Sequence, residues 1–162
     1  AINVSLYPKL GYDPIKSFTP VYLYGTNPVV LVVAANSPYK TLRDLMTAAK
    51  ANPGKLTGAS AGNGTSQHLA QELLAFRGDV KFTHVPYKGT ALAVTDLIAG
   101  QIQMVITSPL VVLPHVNTGR IKAIATTVEC KARLCGNCEA REIARREIAN
   151  TRRGFRIIHR FL

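Results

Sequence analysis

Apolar and polar stretches alternate along most of the chain in the way typical of strands followed by helices. Residues 29–35 form a continuous apolar run, which is typical of a strand covered on both faces in a parallel sheet. Thr41 is positioned to cap the helix that follows. The apolar residues of that helix recur at i, i+3, i+4 and i+7: Leu42, Leu45, Met46 and Ala49.

The same alternation continues as far as residue 126. It predicts further strands at 56–59, 80–85, 103–107 and 121–126. It predicts three further helices: one after residue 66, one that Thr90 caps, and one at 109–118. A glycine follows each helix, as the left-handed C-terminal position favours: Gly54, Gly78, Gly100 and Gly119. Five strands alternating with four helices predict an α/β fold in which helices flank a parallel-rich sheet.

Three predicted loops leave the carboxyl ends of strands, at 60–66, 86–90 and 107–109. Ligands of open α/β sheets bind beyond these ends. The 60–66 loop reads Ser-Ala-Gly-Asn-Gly-Thr-Ser, and its glycines let backbone N–H groups crowd together at the start of a helix. The helix adds the positive end of its dipole. This loop therefore predicts a site for a small anion, and a carboxylate is the simplest one.

The expected ligand contacts come from the 60–66 loop and the 86–90 turn. Backbone N–H groups would hold the carboxylate, and Thr65, Ser66 and Lys88 would orient it. The expected ligand-binding residues are Ser60, Gly62, Asn63, Gly64, Thr65, Ser66, Tyr87, Lys88 and Gly89. The alternative interpretation is a turn that merely starts a helix, with Lys88 as an ordinary solvated lysine.

A second set of residues is expected to have structural roles near the site: His68, Thr90 and Ser108. His68 would shape the 60–66 loop or bond its carbonyl groups. His84 and His115 are expected to satisfy local backbone groups. Glu72 and Asp96 lie in the middle of predicted helices, where we expect solvation.

Other chemistries have less support. The 60–66 loop lacks the lysine of a phosphate-binding P-loop and does not match the Gly-x-Ser-x-Gly turn of hydrolases. Residues 1–127 contain five acidic side chains, so a paired-carboxylate site has few members to draw on. We therefore expect neither an enzyme nor a bound cofactor.

Charge divides the chain near residue 128. The net charge is +11, of which residues 1–127 carry +6 and the much shorter segment 128–162 carries +5. We expect one lobe at 1–127, with 1–28 as its approach segment, and a separate basic tail at 128–162. Residues 1–5 show neither the basic nor the apolar part of an export signal, and no apolar run is long enough to span a membrane.

The tail allows alternatives of other classes. Its cysteines, Cys130, Cys135 and Cys138, have one spacing suited to zinc, but a structural site needs four ligands, and only the distant His159 could complete it. No metal is therefore expected. Residues 139–148 favour a helix. The basic stretch 152–156 could contact phosphate backbones, but such runs are more often solvated, so nucleic acid remains the alternative partner and not the expected one.

Four segments together resemble the Bug-type solute receptors of tripartite tricarboxylate transporters. They are Phe-Thr-Pro-Val at 18–21, the stretch 59–70 around the 60–66 loop, His-Val-Pro-Tyr-Lys-Gly at 84–89, and Leu-Pro-His-Val at 113–116 followed by Gly-Arg-Ile-Lys-Ala at 119–123. Each motif alone is weak, but their order and spacing over residues 1–127 are specific.

The resemblance implies one lobe of a type II periplasmic-binding-protein-like fold, which closes like a clamshell over a small carboxylate without catalysis. It implies a periplasmic location and membrane transporter subunits as partners. The chain resembles the second lobe, so the first lobe is missing and the exposed interlobe surface favours self-association. Residues 128–162 depart from the family pattern, which suggests a frameshifted, fused or truncated gene; a non-functional product is therefore an alternative. The sequence does not identify the carboxylate.

Overall fold

The structure is a computed structural model that describes residues 9–13, 16–19, 21–22 and 28–127. Strands and helices alternate in the order that the sequence predicts. The strands are β1 (Val30–Ala34), β2 (Thr57–Ser60), β3 (Thr83–Pro86), β4 (Met104–Thr107) and β5 (Ile121–Thr126). The helices are α1 (Leu42–Ala51), α2 (Ser66–Gly78), α3 (Thr90–Ile98) and α4 (Pro109–Asn117). The predicted α/β fold is confirmed.

The strands form one sheet in the order β3-β2-β4-β1-β5. β2 is parallel to both β3 and β4, whereas β1 is antiparallel to both β4 and β5. Four strands therefore share one direction, and β1 runs against them. The predicted burial of β1 is confirmed, because all five of its residues are buried, but its predicted parallel pairing is wrong. A strand with helices on both faces needs apolar side chains throughout, whichever way its neighbours run.

Helices cover both faces of the sheet. On one face α1 and α2 pack on a core that includes Leu31, Val33, Leu45 and Met104. On the other face α3 and α4 pack on Val32, Val94, Leu97, Val105 and Val112. This arrangement leaves the two ends of the sheet, where the connecting loops lie, as the places where a ligand could reach polar groups.

The predicted cap of α1 is confirmed. The Asp44 N–H donates to Oγ1 of Thr41 at 3.2 Å, and the Thr41 N–H donates to Oδ2 of Asp44 at 2.9 Å. The Thr41 side chain, and after it the N–H groups of Thr41 and Lys40 that donate to the carboxylate, lower the pKa of the Asp44 carboxyl. The first turn of α1 thus has its backbone donors satisfied in the way its sequence indicates.

Two predicted capping positions are wrong, although α2 does end at Gly78. Gly78 is the last residue of α2, and the left-handed position is taken by Asp79 with a φ of 50°. A Cβ at Gly78 would collide with Cε of Met46 on α1, so the Met46 side chain would have to shift to make room for it. Thr90 is the first residue of α3 and not its cap, because Gly89 occupies the cap position.

Several predictions fall outside the described residues. They are the boundary at 128, the cysteines and His159, the helix at 139–148, the basic stretch 152–156 and most of the approach segment. The alternatives that depend on the tail therefore stay predictions. Within the described part of the chain, no helix combines the length and apolar character that crossing a bilayer requires.

Candidate functional site

The 60–66 loop and the 86–90 turn begin side by side. β2 and β3 are parallel and in register, with Ser60 opposite Pro86, so both connections leave the same edge of the sheet. The Tyr87 N–H extends this pairing by donating to the carbonyl oxygen of Ser60 at 3.0 Å. β4 ends at the same edge, which brings Ser108 close to it. The predicted meeting of these three connections at one edge agrees with the structure.

Ser60 is the centre of the hydrogen bonds inside the loop. Its side chain is fully buried. Its Oγ accepts from the Gly62 N–H at 3.2 Å, and it lies 3.1 Å from the Gly62 carbonyl oxygen and 2.7 Å from Nε2 of His84. These internal partners commit the hydroxyl of Ser60 to the loop, so the side chain positions the loop and does not face a ligand.

The two glycines of the loop allow its tight path. Gly62 and Gly64 have φ angles of 132° and 75°, which other residues rarely adopt. The Gly64 N–H donates to Nδ1 of His68 at 3.2 Å. The N–H groups of both glycines thus have partners within the protein, contrary to the expectation that the loop offers all its N–H groups to a ligand. The expected role of His68 in shaping the loop agrees with this bond, although its partner is an N–H group and not a carbonyl.

Thr65 is the N-terminal cap of α2. Its Oγ1 accepts from the His68 N–H at 3.3 Å and donates to the Gly62 carbonyl at 2.8 Å. The N–H groups of Ser66 and Gln67, the first two residues of α2, make no hydrogen bond within residues 28–127. Ser66 is exposed, as is Asn63. In the same range the N–H groups of Asn63 and Thr65 also make no hydrogen bond, so the open donors run from the loop into the start of the helix.

Two imidazole rings stack beneath the loop. The centroids of His68 and His84 are 4.1 Å apart, with an angle of 25° between the ring planes. Nε2 of His68 lies 3.7 Å from Oε1 of Glu72. Burial, and then the neighbouring His68, lower the pKa of His84, while Glu72 acts in the opposite direction. The expectation that His84 satisfies backbone groups is wrong, since its ring contacts a serine hydroxyl and another ring.

The 86–90 turn is held by one side-chain hydrogen bond. The hydroxyl of Tyr87 donates to Oδ2 of Asp96 at 2.6 Å, and this bond, helped by burial, raises the pKa of Tyr87 to about 12. Asp96 is therefore not simply solvated, and the Tyr87 hydroxyl is engaged within the lobe. Lys88 is exposed. Gly89 provides no side-chain cap, so the start of α3 carries open N–H groups.

Further polar side chains are buried in the lobe without hydrogen-bond partners. Oγ1 of Thr107 and both polar atoms of the Gln71 side chain are buried and make no hydrogen bond within the described residues. Ser108 precedes α4 without capping it through its side chain. Sequence reasoning did not single out Gln71 or Thr107. The alternation of side chains along β3 could have indicated that His84 faces α2 beneath the loop, because it lies two residues before Pro86.

The groups at this edge suit an anion better than a metal ion or a covalent reaction. Within the described residues, no three His, Cys, Asp or Glu side chains are grouped so as to hold a metal ion. The Ser60–His84 pair has the residue types of a nucleophile and its base, but the serine side chain has no exposed surface for a substrate to reach. The helix starts offer N–H donors, and Lys88 offers a positive charge beside them.

Comparisons with known proteins point to one family. The model of the tripartite tricarboxylate transporter family receptor (TctC) matches residues 2–150, so the match continues past Thr127. A relative from Pseudomonas sp. (strain P51), the UPF0065 protein in the tcbD-tcbE intergenic region, is 46% identical over 121 residues. That alignment covers 75% of this chain and 36% of the relative, so the chain spans little more than a third of its length.

Solved structures give the same result. MatC (Rpa3494) from Rhodopseudomonas palustris with bound malate aligns with a TM-score of 0.68 at 31% identity, covering 79% of this chain and 44% of that one. R. palustris Rpa4515 with adipate aligns with a TM-score of 0.66 at 33% identity, covering 75% and 41%. The family and these neighbours are solute-binding receptors and not enzymes. The chain therefore belongs to the family of tripartite tricarboxylate transporter receptors.

Proposed function

We propose that the described lobe holds a small dicarboxylate at the edge where the 60–66 loop and the 86–90 turn meet. The observation that carries the proposal is the pair of open N–H groups at the start of α2, on Ser66 and Gln67. The start of α3, which has no side-chain cap, and Lys88 lie next to them. N–H groups at helix starts favour anions. Solved relatives with malate and adipate support a small dicarboxylate as the ligand class.

The proposed mechanism is capture by groups that are already in position. One carboxylate of the ligand accepts from the Ser66 and Gln67 N–H groups, and Lys88 provides charge from the neighbouring turn. The Ser60 hydrogen bonds and the Tyr87–Asp96 bond hold the loop and the turn in place, so little reorganisation accompanies binding. Each charge-assisted hydrogen bond contributes about 1.5–3 kcal/mol.

An opposing lobe is part of this proposal. Leu92 and Leu110 lie in the first turns of α3 and α4 at the same edge, and their side chains are 59% and 81% exposed. Apolar side chains beside a polar site suit a surface that a second lobe covers on closing. Without that lobe they favour self-association. The first lobe, the membrane transporter subunits and a periplasmic location are inferred from the family.

We expect the 162-residue chain alone to bind malate or adipate no more tightly than about 100 μM, which corresponds to roughly −5.5 kcal/mol. A single lobe leaves most of the ligand in water, where each hydrogen bond to the protein replaces one to solvent. Titration calorimetry measures this affinity, and amide NMR spectra extend the range to weaker binding. A dissociation constant in the micromolar range or tighter would contradict the one-lobe proposal.

Two substitutions at Ser66 test the backbone contact. Ser66→Pro removes the N–H group at the first helical position, where proline is well tolerated. Thr65 already has the extended backbone that precedes a proline, with φ −72° and ψ 160°. Ser66→Ala is the matched control, since it removes the hydroxyl and keeps the N–H. We expect Ser66→Pro to weaken dicarboxylate binding about ten-fold and Ser66→Ala to weaken it less than about two-fold.

The affinities of these variants show whether the dicarboxylate binds at the start of α2. Equal affinities for the parent, Ser66→Pro and Lys88→Ala would mean that the dicarboxylate binds elsewhere, and the proposal would be wrong. Shifts of the Ser66 and Gln67 amide signals on adding malate, absent with the uncharged diamide of the same acid, would support it.

A further inference from the structure

The two stacked histidines fix the shape of the 60–66 loop from below. His68 accepts the Gly64 N–H through Nδ1, and His84 reaches the Ser60 hydroxyl through Nε2. Ser60 and Gly64 lie near the two ends of the loop, and Thr65 links the loop to the first turn of α2. The loop path therefore depends on the protonation state of both rings.

His68 can make its bond to Gly64 in the neutral form alone. The N–H of Gly64 is a donor, so Nδ1 must present its lone pair, and the ring proton lies on Nε2, which faces Glu72 at 3.7 Å. A second proton would occupy Nδ1. The Gly64 N–H would then face another N–H group, and this anchor of the loop would be lost.

His84 acts through the hydroxyl of Ser60. That hydroxyl has one proton and two acceptors in reach, the Gly62 carbonyl at 3.1 Å and Nε2 of His84 at 2.7 Å. When Nε2 lacks a proton, the hydroxyl donates to it. When Nε2 carries a proton, the ring donates to Ser60, and the hydroxyl must turn toward Gly62. With the neutral ring in the tautomer that has its proton on Nδ1, a second proton, on Nε2, thus reverses the bond to Ser60 and rearranges the hydrogen bonds of the loop.

The contact between the rings discourages charge on both. Their centroids are 4.1 Å apart, so two imidazolium groups would repel at close range. The carboxylate that acts on the pair among the described residues is Glu72 on α2; its side chain is 55% exposed, and solvent weakens its effect. Ser60 on β2 is uncharged. The lowered pKa of His84 agrees with a pair that is most stable when neutral.

We infer that His68 and His84 are positioning residues that couple carboxylate release to proton uptake: the neutral pair holds the loop in its binding shape, and protonation loosens it and promotes release. This inference rests on the proposed function. A proton also adds positive charge, which favours an anion. However, that charge lies beneath the loop beside Glu72, whereas the lost bonds orient the first turn of α2 directly.

The test compares the parent with a variant in which the rings cannot titrate. His68→Asn keeps an acceptor near the position of Nδ1, and His84→Gln keeps a polar group near the position of Nε2. For the parent, we expect the dissociation constant for malate to rise about five-fold more between about pH 7.5 and pH 5 than it does for the double variant. The double variant also reports how much the ligand's own titration contributes, since that part is common to both proteins.

A ligand-free measurement separates this inference from the proposed function. The Gly64 amide signal of the parent should shift with pH together with the ring signals of His68 and His84, and in His68→Asn it should not. Malate affinity with the same pH dependence in parent and double variant would overturn the inference and leave the proposed function standing. Absence of malate binding at about pH 7.5, with the Gly64 signal intact, would overturn the proposed function and the release step with it.

Discussion

The two connections at the candidate site are built in opposite ways. The 60–66 loop is tied by a network of side-chain bonds through Ser60, Thr65 and His68. The 86–90 turn is tied to the lobe by the Tyr87 hydroxyl and the Tyr87 N–H. One helix start is capped and the other is not. The difference teaches that two connections at one edge of a sheet can be held by different means, many side-chain bonds in one and a single tyrosine in the other.

The largest expected effect comes from the centre of the rigid loop. Ser60→Ala removes the partner of the buried Gly62 N–H and of His84. We expect the free energy of unfolding to fall by about 2 kcal/mol, because buried groups left without partners cost about 1–3 kcal/mol each. Urea denaturation at neutral pH measures it, with the exposed Ser66→Ala as the matched control. Equal stability of the two variants would contradict the central role of Ser60.

A matched pair of threonines sharpens the contrast between the two helix starts. Thr65 caps α2 through its hydroxyl, whereas Thr90 lies inside α3 and caps nothing. We expect Thr65→Ala to lower the free energy of unfolding by about 1 kcal/mol and Thr90→Ala to change it by less than about 0.5 kcal/mol. Thermal or urea unfolding of both variants checks this. A larger loss at Thr90 would reverse the assignment of the caps.

The hydrogen bond between Tyr87 and Asp96, which holds the 86–90 turn, can be followed through the titration of Tyr87. The hydrogen bond to Asp96 raises the pKa of Tyr87 to about 12. In Asp96→Asn the negative acceptor is gone, so the pKa of Tyr87 should fall toward the ordinary value of about 10. Ultraviolet absorbance of tyrosinate, compared between parent and variant, measures the change. Titration curves that coincide would mean that the bond does not persist in solution.

The smallest expected effect is the contribution of His84 to the pH dependence of stability. The folded protein holds the pKa of His84 below its ordinary 6.5, so the unfolded chain binds more protons as the pH falls below that value. Stability should therefore decrease from pH 6.5 downward, until the pH reaches the lowered pKa, and this group should have no effect above 6.5. Urea unfolding of the parent and of His84→Gln across this pH range isolates the contribution of His84 to the free energy of unfolding. A parent that gained stability on acidification relative to the variant would contradict the direction.

The sequence predicted the elements well, because their periods and breaks are local. The direction of β1 could not be predicted, since complete burial gives a strand the same apolar pattern whether its neighbours are parallel or antiparallel. Gly78 was assigned to a left-handed position, but Asp79 takes that position, and Gly78 packs against Met46, more than thirty residues earlier in the chain. Contacts of that kind arise from packing and leave no local pattern.

The candidate site was predicted in outline only. The sequence placed the 60–66 loop and the 86–90 turn at one edge of the sheet, as the structure does, because parallel strands end together. It did not reveal which N–H groups are open. The partners of Gly62 and Gly64 depend on a serine hydroxyl and a histidine nitrogen whose orientations follow from the packing of α2 on β2 and β3. A polar residue in a glycine-rich loop can serve the loop or the ligand, and its neighbours in space decide which.

The reversed direction of β1 brings together the points where the chain enters and leaves the sheet. Because β1 lies between β4 and β5, the chain reaches the sheet at Val29 and leaves it at Thr127 side by side. The Val29 N–H donates to Oγ1 of Thr127 at 3.1 Å, and the Thr127 N–H donates to the carbonyl of Val29 at 3.0 Å. The chain therefore enters and leaves the sheet at one place. That place lies at the same end of the sheet as the two connections, so entry, exit and candidate site share one end of the lobe.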